Sequence, residues 1–238
     1  MRVLTWNVLH RVHAETHGEP AVERWPDEPS RTRALLDTLS RTRADVVLLQ
    51  EVSGDVLAAL RGAFTSVTSH RFPRMPRPKR PTTAVTDASE HLVIGSTAAV
   101  TVWRAQTAVN DPGKGLLAVE QGGVLFVSTH VSWGEKRAPQ LEALARVVRE
   151  HTGPLVIGGD FNVEASVVCS ALGLRNVALA PGSAKTRVGR EGGGDIDHLF
   201  VRGLEVSAAQ VLEHDLLSDH APVVLEVQSA SSFAPPTA

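Results

Sequence analysis

The chain has 238 residues, 42% hydrophobic and 21% charged, with a formal net charge of −2. These values predict one soluble globular domain and exclude a uniformly basic nucleic-acid coat, while leaving room for a local basic patch. The single cysteine, Cys169, excludes a disulfide framework and a cysteine-based zinc site, and in Ser166-Val167-Val168-Cys169-Ser170-Ala171-Leu172 it reads as a core residue.

Arg2 to Val8 reads as a strand ending at Asn7, and residues 10–30 as a polar irregular loop rich in His, Glu and Pro. Ser30 is the expected N-cap of a helix over 31–43, with Leu35, Leu36 and Leu39 on its buried side. Asp45 to Glu51 is a second buried strand that delivers Gln50 and Glu51 at its end, and Ser53 opens a helix reaching Arg61. A strand within 64–72 leads into a segment with five Lys or Arg (Arg71, Arg74, Arg77, Lys79 and Arg80) and no acid. Its prolines exclude helix and predict an extended, exposed course.

Leu92–Ile94, Ala98–Ala105, Leu116–Glu120 and Val124–His130 read as strands, the last two joined by a Gln121-Gly122-Gly123 turn. Glu135 to Glu150 is a helix, with Leu141, Leu144, Ala145 and Val148 at helical spacing. Gly153-Pro154 enters the apolar run Leu155-Val156-Ile157, which ends in the tight loop Gly158-Gly159-Asp160-Phe161-Asn162. After a Gly-rich loop at 181–194, strands over 196–202, 204–212 and 221–227 close the set, and 229–238 is expected to fray. No apolar run approaches about 18 residues, and the N-terminus lacks a signal-peptide pattern, so a cytoplasmic location is expected. Hairpins mixed with helical crossovers predict one α/β domain over 1–228, built on two packed sheets.

Polar, chemically able residues recur where strands end: Thr5-Trp6-Asn7, Gln50-Glu51, Ser128-Thr129-His130, Gly159-Asp160-Phe161-Asn162, Asp195-Ile196-Asp197-His198 and Ser218-Asp219-His220. A carboxylate and an amide two residues apart suit phosphoryl chemistry. Asp160 can orient or deprotonate a hydroxyl or water, and Asn162 can donate to a phosphoryl oxygen. Alone, the same residues also describe a β-turn in which Asp and Asn serve their own backbone.

In this order the six motifs resemble the endonuclease/exonuclease/phosphatase superfamily, which includes deoxyribonuclease I, AP endonucleases, deadenylases, tyrosyl-DNA phosphodiesterases, sphingomyelinases and inositol polyphosphate 5-phosphatases. The resemblance covers residues 2 to about 227 and implies a four-layer αββα sandwich. It also implies roles. Asn7 and Glu51 resemble the metal-binding amide and carboxylate, and Asp219 joins that site directly or through water. Such oxygen donors suit Mg²⁺, with Mn²⁺ able to substitute. His130 resembles the histidine that hydrogen-bonds a non-bridging phosphate oxygen. AP endonucleases carry tyrosine there, and this chain has no tyrosine, which argues against a dedicated AP endonuclease. Asp160 resembles the carboxylate that positions the attacking water, and Asn162 its phosphate-binding companion. Asp197 and His220 resemble the Asp–His pair, able to act as general base or to stabilise the transition state. The sequence leaves open whether Asp160 or His220 activates water. Thr186, in the loop before the Asp197 strand, is carried as a phosphate or leaving-group contact.

Of the remaining chemically able residues, His198 reads as structural, Asp195 as a loop charge and His91 as a surface histidine. Trp6 reads as core, and Trp25 and Trp133 as loop residues that pack or stack on a base. The resemblance implies a metal-dependent phosphodiesterase, working as a monomer on nucleic acid as an endonuclease or 3′-exonuclease, with the Arg71–Arg80 segment along the backbone. The alternative is a phosphatase or phosphodiesterase for a small or lipid phosphoester, of inositol phosphate or sphingomyelin type. The core is shared, although no long apolar membrane-docking hairpin is present. A non-catalytic scaffold would require loss of a key residue, and Asn7, Glu51, His130, Asp160, Asn162, Asp197, Asp219 and His220 are all in place.

Overall fold

The alternation of apolar side chains along the strands builds two faces per sheet, and each face finds a partner. The computed structural model describes residues 1–78, 85–176, 185–187 and 194–229. In chain order the elements are β1 (Arg2–Asn7), α1 (Arg11–His17), α2 (Pro20–Arg24), α3 (Glu28–Thr42), β2 (Val46–Ser53), α4 (Gly54–Leu60), β3 (Ser66–Arg71), β4 (Glu90–Ser96), β5 (Thr101–Ala108), β6 (Asp111–Gln121) and β7 (Val124–His130). There follow α5 (Arg137–Glu150), β8 (Leu155–Asp160), α6 (Ala165–Leu172), β9 (Arg175–Asn176), β10 (Asp197–Arg202), β11 (Leu204–Val211) and β12 (Val223–Ser229).

One six-stranded sheet runs β11-β12-β1-β2-β4-β3, and the other β5-β6-β7-β8-β10-β9. Val46 and Leu48 point between the sheets, where they meet Phe126, Val156 and Leu199 of the second sheet. Their neighbours Val47 and Leu49 point outward, to Leu35 and Leu39 of α3 and Leu57 and Leu60 of α4. This is the two-residue period of a strand buried on both faces. On the far side, Leu141, Leu144 and Val148 of α5 and Val168 of α6 cover Leu125, Val127, Leu155 and Ile157. The layers are therefore αββα, as the motif resemblance implies. Among the described residues no helix is long and apolar enough to cross a membrane.

Parallel pairing of β1 with β2 sets Asn7 beside Gln50. Parallel pairing of β7 with β8 sets His130 beside Asp160, and antiparallel β10 sets Asp197 on the other side of Asp160. Strand register alone thus brings five of the motif residues to one end of the sandwich.

The structure corrects the reading of residues 10–30 as an irregular loop. His10 caps α1 by accepting from the Val12 N–H, and Gly18 ends it in the left-handed region at φ 65°. Pro20 starts α2. Asp27, not Ser30, caps α3, its carboxylate accepting the Ser30 N–H at 2.8 Å. α6 forms where sequence reading found only a core stretch, and Cys169 packs partly buried against the α5 core. His91, expected at the surface, is buried with Nε2 2.9 Å from Ser89 Oγ. Trp6 is core as expected. Lys79, Arg80, most of the Gly-rich 181–194 loop and the tail beyond 229 lie outside the described residues.

A buried guanidinium fixes the chain on leaving β1. Arg31 of α3 is 2% exposed. It donates to the carbonyls of Val8 (2.8 Å), Leu9 (3.0 Å) and Leu217 (2.7 Å), and pairs with Glu28 at 2.6 Å. Leu9, Asp215 and Leu216 all hold positive φ, a conformation that non-glycine residues keep only when the surroundings enforce it. Arg31→Met leaves three buried carbonyls and one buried carboxylate without their donor. It is expected to cost about 3–5 kcal/mol in urea unfolding. Adding Glu28→Gln should recover part of that loss, and equal stability of Arg31→Met and the native chain would contradict this account.

Candidate active site

The site begins with strand ends that stop in unusual backbone. Between Leu49 and Val52 the β2–β4 register shifts, and Glu51 takes φ 55°. The bulge turns its side chain out of the sheet and toward β1. Asn7 Nδ2 then donates to Glu51 Oε1 at 3.2 Å and to Asp160 Oδ2 at 3.0 Å, while Asn7 Oδ1 accepts the Leu9 N–H. Glu51 Oε2 accepts the His10 N–H at 3.1 Å. Burial opposes charge on Glu51, but His13, His130, Lys114 and the His10 N–H outweigh it and hold the carboxyl well below its usual range.

Asp160 closes β8. Its Oδ1 accepts the Asn162 N–H at 3.0 Å, and its Oδ2 lies 3.3 Å from His130 Nε2 and 3.8 Å from His220 Nε2. Against burial, His220 and His130 hold it ionised, its carboxyl below the usual range. Asn162 has φ 52° and donates Nδ2 to the Val131 carbonyl at 2.8 Å. Its amide therefore ties the β7 and β8 loops together here. His130 is 1% exposed and touches Glu51, Asp160 and the ammonium of Lys114 through Nε2.

Asp197 Oδ2 meets His220 Nδ1 at 2.8 Å, which leaves Nε2 facing Asp160 and Asp219. Burial disfavours a charged imidazole, yet the carboxylates of Asp197, Asp160 and Asp219 prevail and raise His220 to about 10. Burial pushes the Asp197 carboxyl up to about 6 against the pull of His220. Trp6 Nε1 donates to the His220 carbonyl, and Ser218 Oγ donates to the Asn7 carbonyl while accepting the His220 N–H. These bonds lock the β12 approach onto the end of β1. Asp219 Oδ2 accepts from Arg187 Nε at 3.2 Å, and Oδ1 is buried without a hydrogen-bond partner among the described residues.

The donors fit a hard divalent cation. The orphaned Asp219 Oδ1 is a buried acceptor that a cation would satisfy, while Asn7 presents the donor Nδ2 to Glu51 and Asp160 and spends Oδ1 on the Leu9 N–H. Among the described residues one group of three possible ligand side chains comes within 4.8 Å of one another, Asp160, Asp197 and His220. Asp197 and His220 are engaged with each other through Oδ2 and Nδ1, which leaves His220 Nε2 toward Asp160.

Thr186 does not face the cleft. It is 0% exposed, and its hydroxyl accepts the N–H groups of Ile196 (3.0 Å) and Asp197 (3.1 Å). It holds the Asp197 turn rather than a phosphate. The basic segment is also not free of acid. Arg74 Nη1 pairs at 2.9 Å with Asp111, a buried carboxylate on β6 that also accepts from Gly113 N and Ser132 Oγ. Arg71 turns to Met75 Sδ, and Arg77 stays exposed. Trp25 donates its indole N–H to the Asp215 carbonyl and packs on the α3 core, whereas Trp133 is 59% exposed with Arg187 over its ring. His198 is structural, with Nε2 2.8 Å from the Val163 carbonyl. Sequence reasoning missed Lys114, whose only signal is a lysine inside a strand one residue before the partner of His130.

The raised value of His220 carries a stability prediction for the metal-free protein. A histidine whose folded value exceeds its unfolded one contributes stability that is fully present below about pH 6.5 and lost as pH rises through about 10. In EDTA, the stability difference between the native chain and His220→Gln should therefore shrink from pH 7 to pH 10 in urea titrations. A constant difference would contradict the ion pair.

Comparison with known proteins agrees with this geometry. A UPF0294 protein of Vibrio cholerae serotype O1 is 36% identical over 93 residues, covering 36% of this chain but only 32% of that relative's length. A UPF0294 protein of Klebsiella pneumoniae is 26% identical over 246 residues, covering 95% of this chain and 81% of the relative. The crystal structure of D. rerio TDP2 complexed with single-strand DNA product superposes with a TM-score of 0.66 at 14% identity, covering 96% of this chain and 99% of that one; at that identity the likeness is one of fold. The profile of the Endonuclease/Exonuclease/phosphatase family matches residues 4–220, nearly the whole sandwich and every strand-end motif, and the chain belongs to that family.

Proposed function

We propose that the chain is a divalent-cation-dependent phosphodiesterase that hydrolyses phosphodiester bonds of nucleic acid, as an endonuclease or 3′-exonuclease. The observation that carries this reading is the position of Asp160. Its Oδ2 sits between the Asn7–Glu51 pair on one side and the Asp197–His220 pair on the other.

Asn7, Glu51 and Asp219 would hold Mg²⁺ or Mn²⁺, which supplies positive charge to a phosphoryl oxygen and the leaving group. Asp160, kept ionised, accepts a proton or hydrogen bond from the attacking water. His220, charged and oriented by Asp197, donates from Nε2 to the crowded phosphoryl centre. His130 and Lys114 add donors for a non-bridging oxygen. Asn162 keeps the Asp160 loop in place, with its amide available to a phosphoryl oxygen after a small rotation. The charge states favour Asp160 over His220 as the group that activates water.

Nucleic acid is supported by the exposed Arg77, by the exposed Trp133, whose ring faces the Arg187 that donates to Asp219, and by the TDP2 complex with single-strand DNA, a neighbour in fold. Arg71, Arg74, Lys79 and Arg80 complete the proposed backbone track, and a cytoplasmic monomer is part of the same proposal.

A panel of single- and double-stranded DNA and RNA, bis-p-nitrophenyl phosphate and inositol phosphates, assayed in EDTA, Mg²⁺ and Mn²⁺, tests the reading. Turnover of nucleic acid should vanish in EDTA and return with either ion. Glu51→Gln should lose most activity at low Mg²⁺. His220→Ala should lower kcat by roughly 10²–10⁴-fold with little change in KM, and adding Asp197→Asn should cost far less than its single effect. Preference for inositol phosphates would move the assignment to a small phosphoester, and full activity of Glu51→Gln would remove Glu51 from the cation site.

A further inference from the structure

A cavity of about 850 Å³ opens between α1 and the Pro73–Arg77 segment. His13, Thr16 and His17 form one wall, Arg74 and Arg77 the other, and no acid among the described residues lines it. Two of these groups are held in place from behind. His13 Nε2 lies 3.3 Å from Glu90, which is 0% exposed, and Arg74 is held by the buried Asp111. Arg77 and His17 are exposed and have no ion-pair partner among the described residues. Val12, Met75 and Pro76 give the cavity an apolar strip beside its cations.

The cavity adjoins the cation seat. α1 begins directly after His10, whose N–H binds Glu51, and Glu90 pairs in register with Ser53, two residues beyond Glu51. His13, on the cavity wall, lies close enough to Glu51 for their charges to interact. Imidazole, guanidinium and hydroxyl donors around a concave space without acid suit a tetrahedral anion.

We infer that this cavity binds a second phosphate of the substrate, one that is not cleaved. The inference rests on the phosphoesterase reading of the neighbouring site and names what that site's substrate carries: a scissile phosphoester with another phosphate close by. That phosphate is either the next one along a nucleic-acid strand or the second phosphate of a small molecule.

The test compares the native chain with His17→Gln, Arg77→Gln and the double variant. Both side chains are exposed, so the fold should survive. The first measurement needs no turnover: calorimetric titration of the metal-free proteins with inorganic phosphate. The native chain should bind phosphate, and the double variant at least about tenfold more weakly. The second measurement uses paired substrates: thymidine 5′-(p-nitrophenyl phosphate) with and without a 3′-phosphate, and inositol 1-phosphate against inositol 1,4-bisphosphate. In the native chain the second phosphate should lower KM in one pair, which identifies the source, and in the double variant that KM ratio should collapse toward one. No phosphate binding, or binding indifferent to both substitutions, overturns the inference. So does hydrolysis in which the second phosphate leaves KM unchanged. Phosphate binding lost in the variants, with no hydrolysis of either pair, supports the cavity as a phosphate site and overturns the phosphoesterase reading instead.

Discussion

The hydrogen bond from Asn7 Nδ2 to Asp160 Oδ2 joins the ends of β1 and β8, strands of different sheets. The reacting centre exists only if the two sheets stack in one relative position, because neither sheet carries a complete set of groups. Beneath the bond, Gln50 Nε2 reaches from β2 to Ser128 Oγ of β7 at 3.1 Å, within 3.3 Å of Thr5 Oγ1. These buried polar contacts specify a stacking that the Leu48, Phe126 and Val156 core would tolerate with small shifts. A buried amide without a partner costs more than its bond returns, which penalises every other alignment.

Charge is the second constraint. Glu51, Asp160, Asp197 and Asp219 crowd one buried end of the sandwich, answered by His130, His220, Lys114 and Arg187. In the proposed reaction this imbalance has a use, since a cation would offset carboxylates that are already held together. Backbone strain follows from the same demand. Glu51 and Asn162 sit at positive φ at the mouth of the site, and Leu9 and Leu216 do so on the loops that frame it. Arg31 and the Ser218–Asn7 bond hold those loops from below. Strain at the site is maintained by bonds made away from it.

The sandwich was legible because its buried strands are short apolar runs, and because strand ends announce themselves when a polar, chemically able residue follows such a run. Asp160 after Leu155-Val156-Ile157 and Glu51 after Val46–Leu49 are examples. Register then did the rest, since parallel β7 and β8 align His130 with Asp160. The helices α1 and α2 were not legible. Seven and five residues are too few to show a helical period, and Arg11, buried against Glu15 and the Trp25 carbonyl, looks like a surface charge in one dimension. Thr186 was misread for a related reason: a loop hydroxyl near a motif serves backbone amides as readily as substrate, and direction is invisible in sequence. The basic segment seemed free of acid because its partner, Asp111, lies 37 positions from Arg74. Lys114 was missed because its one signal, a lysine within β6, acquires meaning only when β7 is paired beside it.

The role of Asp160 is the central claim, and kcat of Asp160→Asn on nucleic acid at saturating Mg²⁺ tests it most directly, with the urea midpoint measured alongside. The substitution keeps the shape and the bond from Asn162 N–H but removes the charge shared by Asn7, His130 and His220. The account predicts a kcat lower by roughly 10²–10⁴-fold in a protein that still unfolds cooperatively. A folded Asp160→Asn protein whose kcat stays within about threefold of the native value would contradict it.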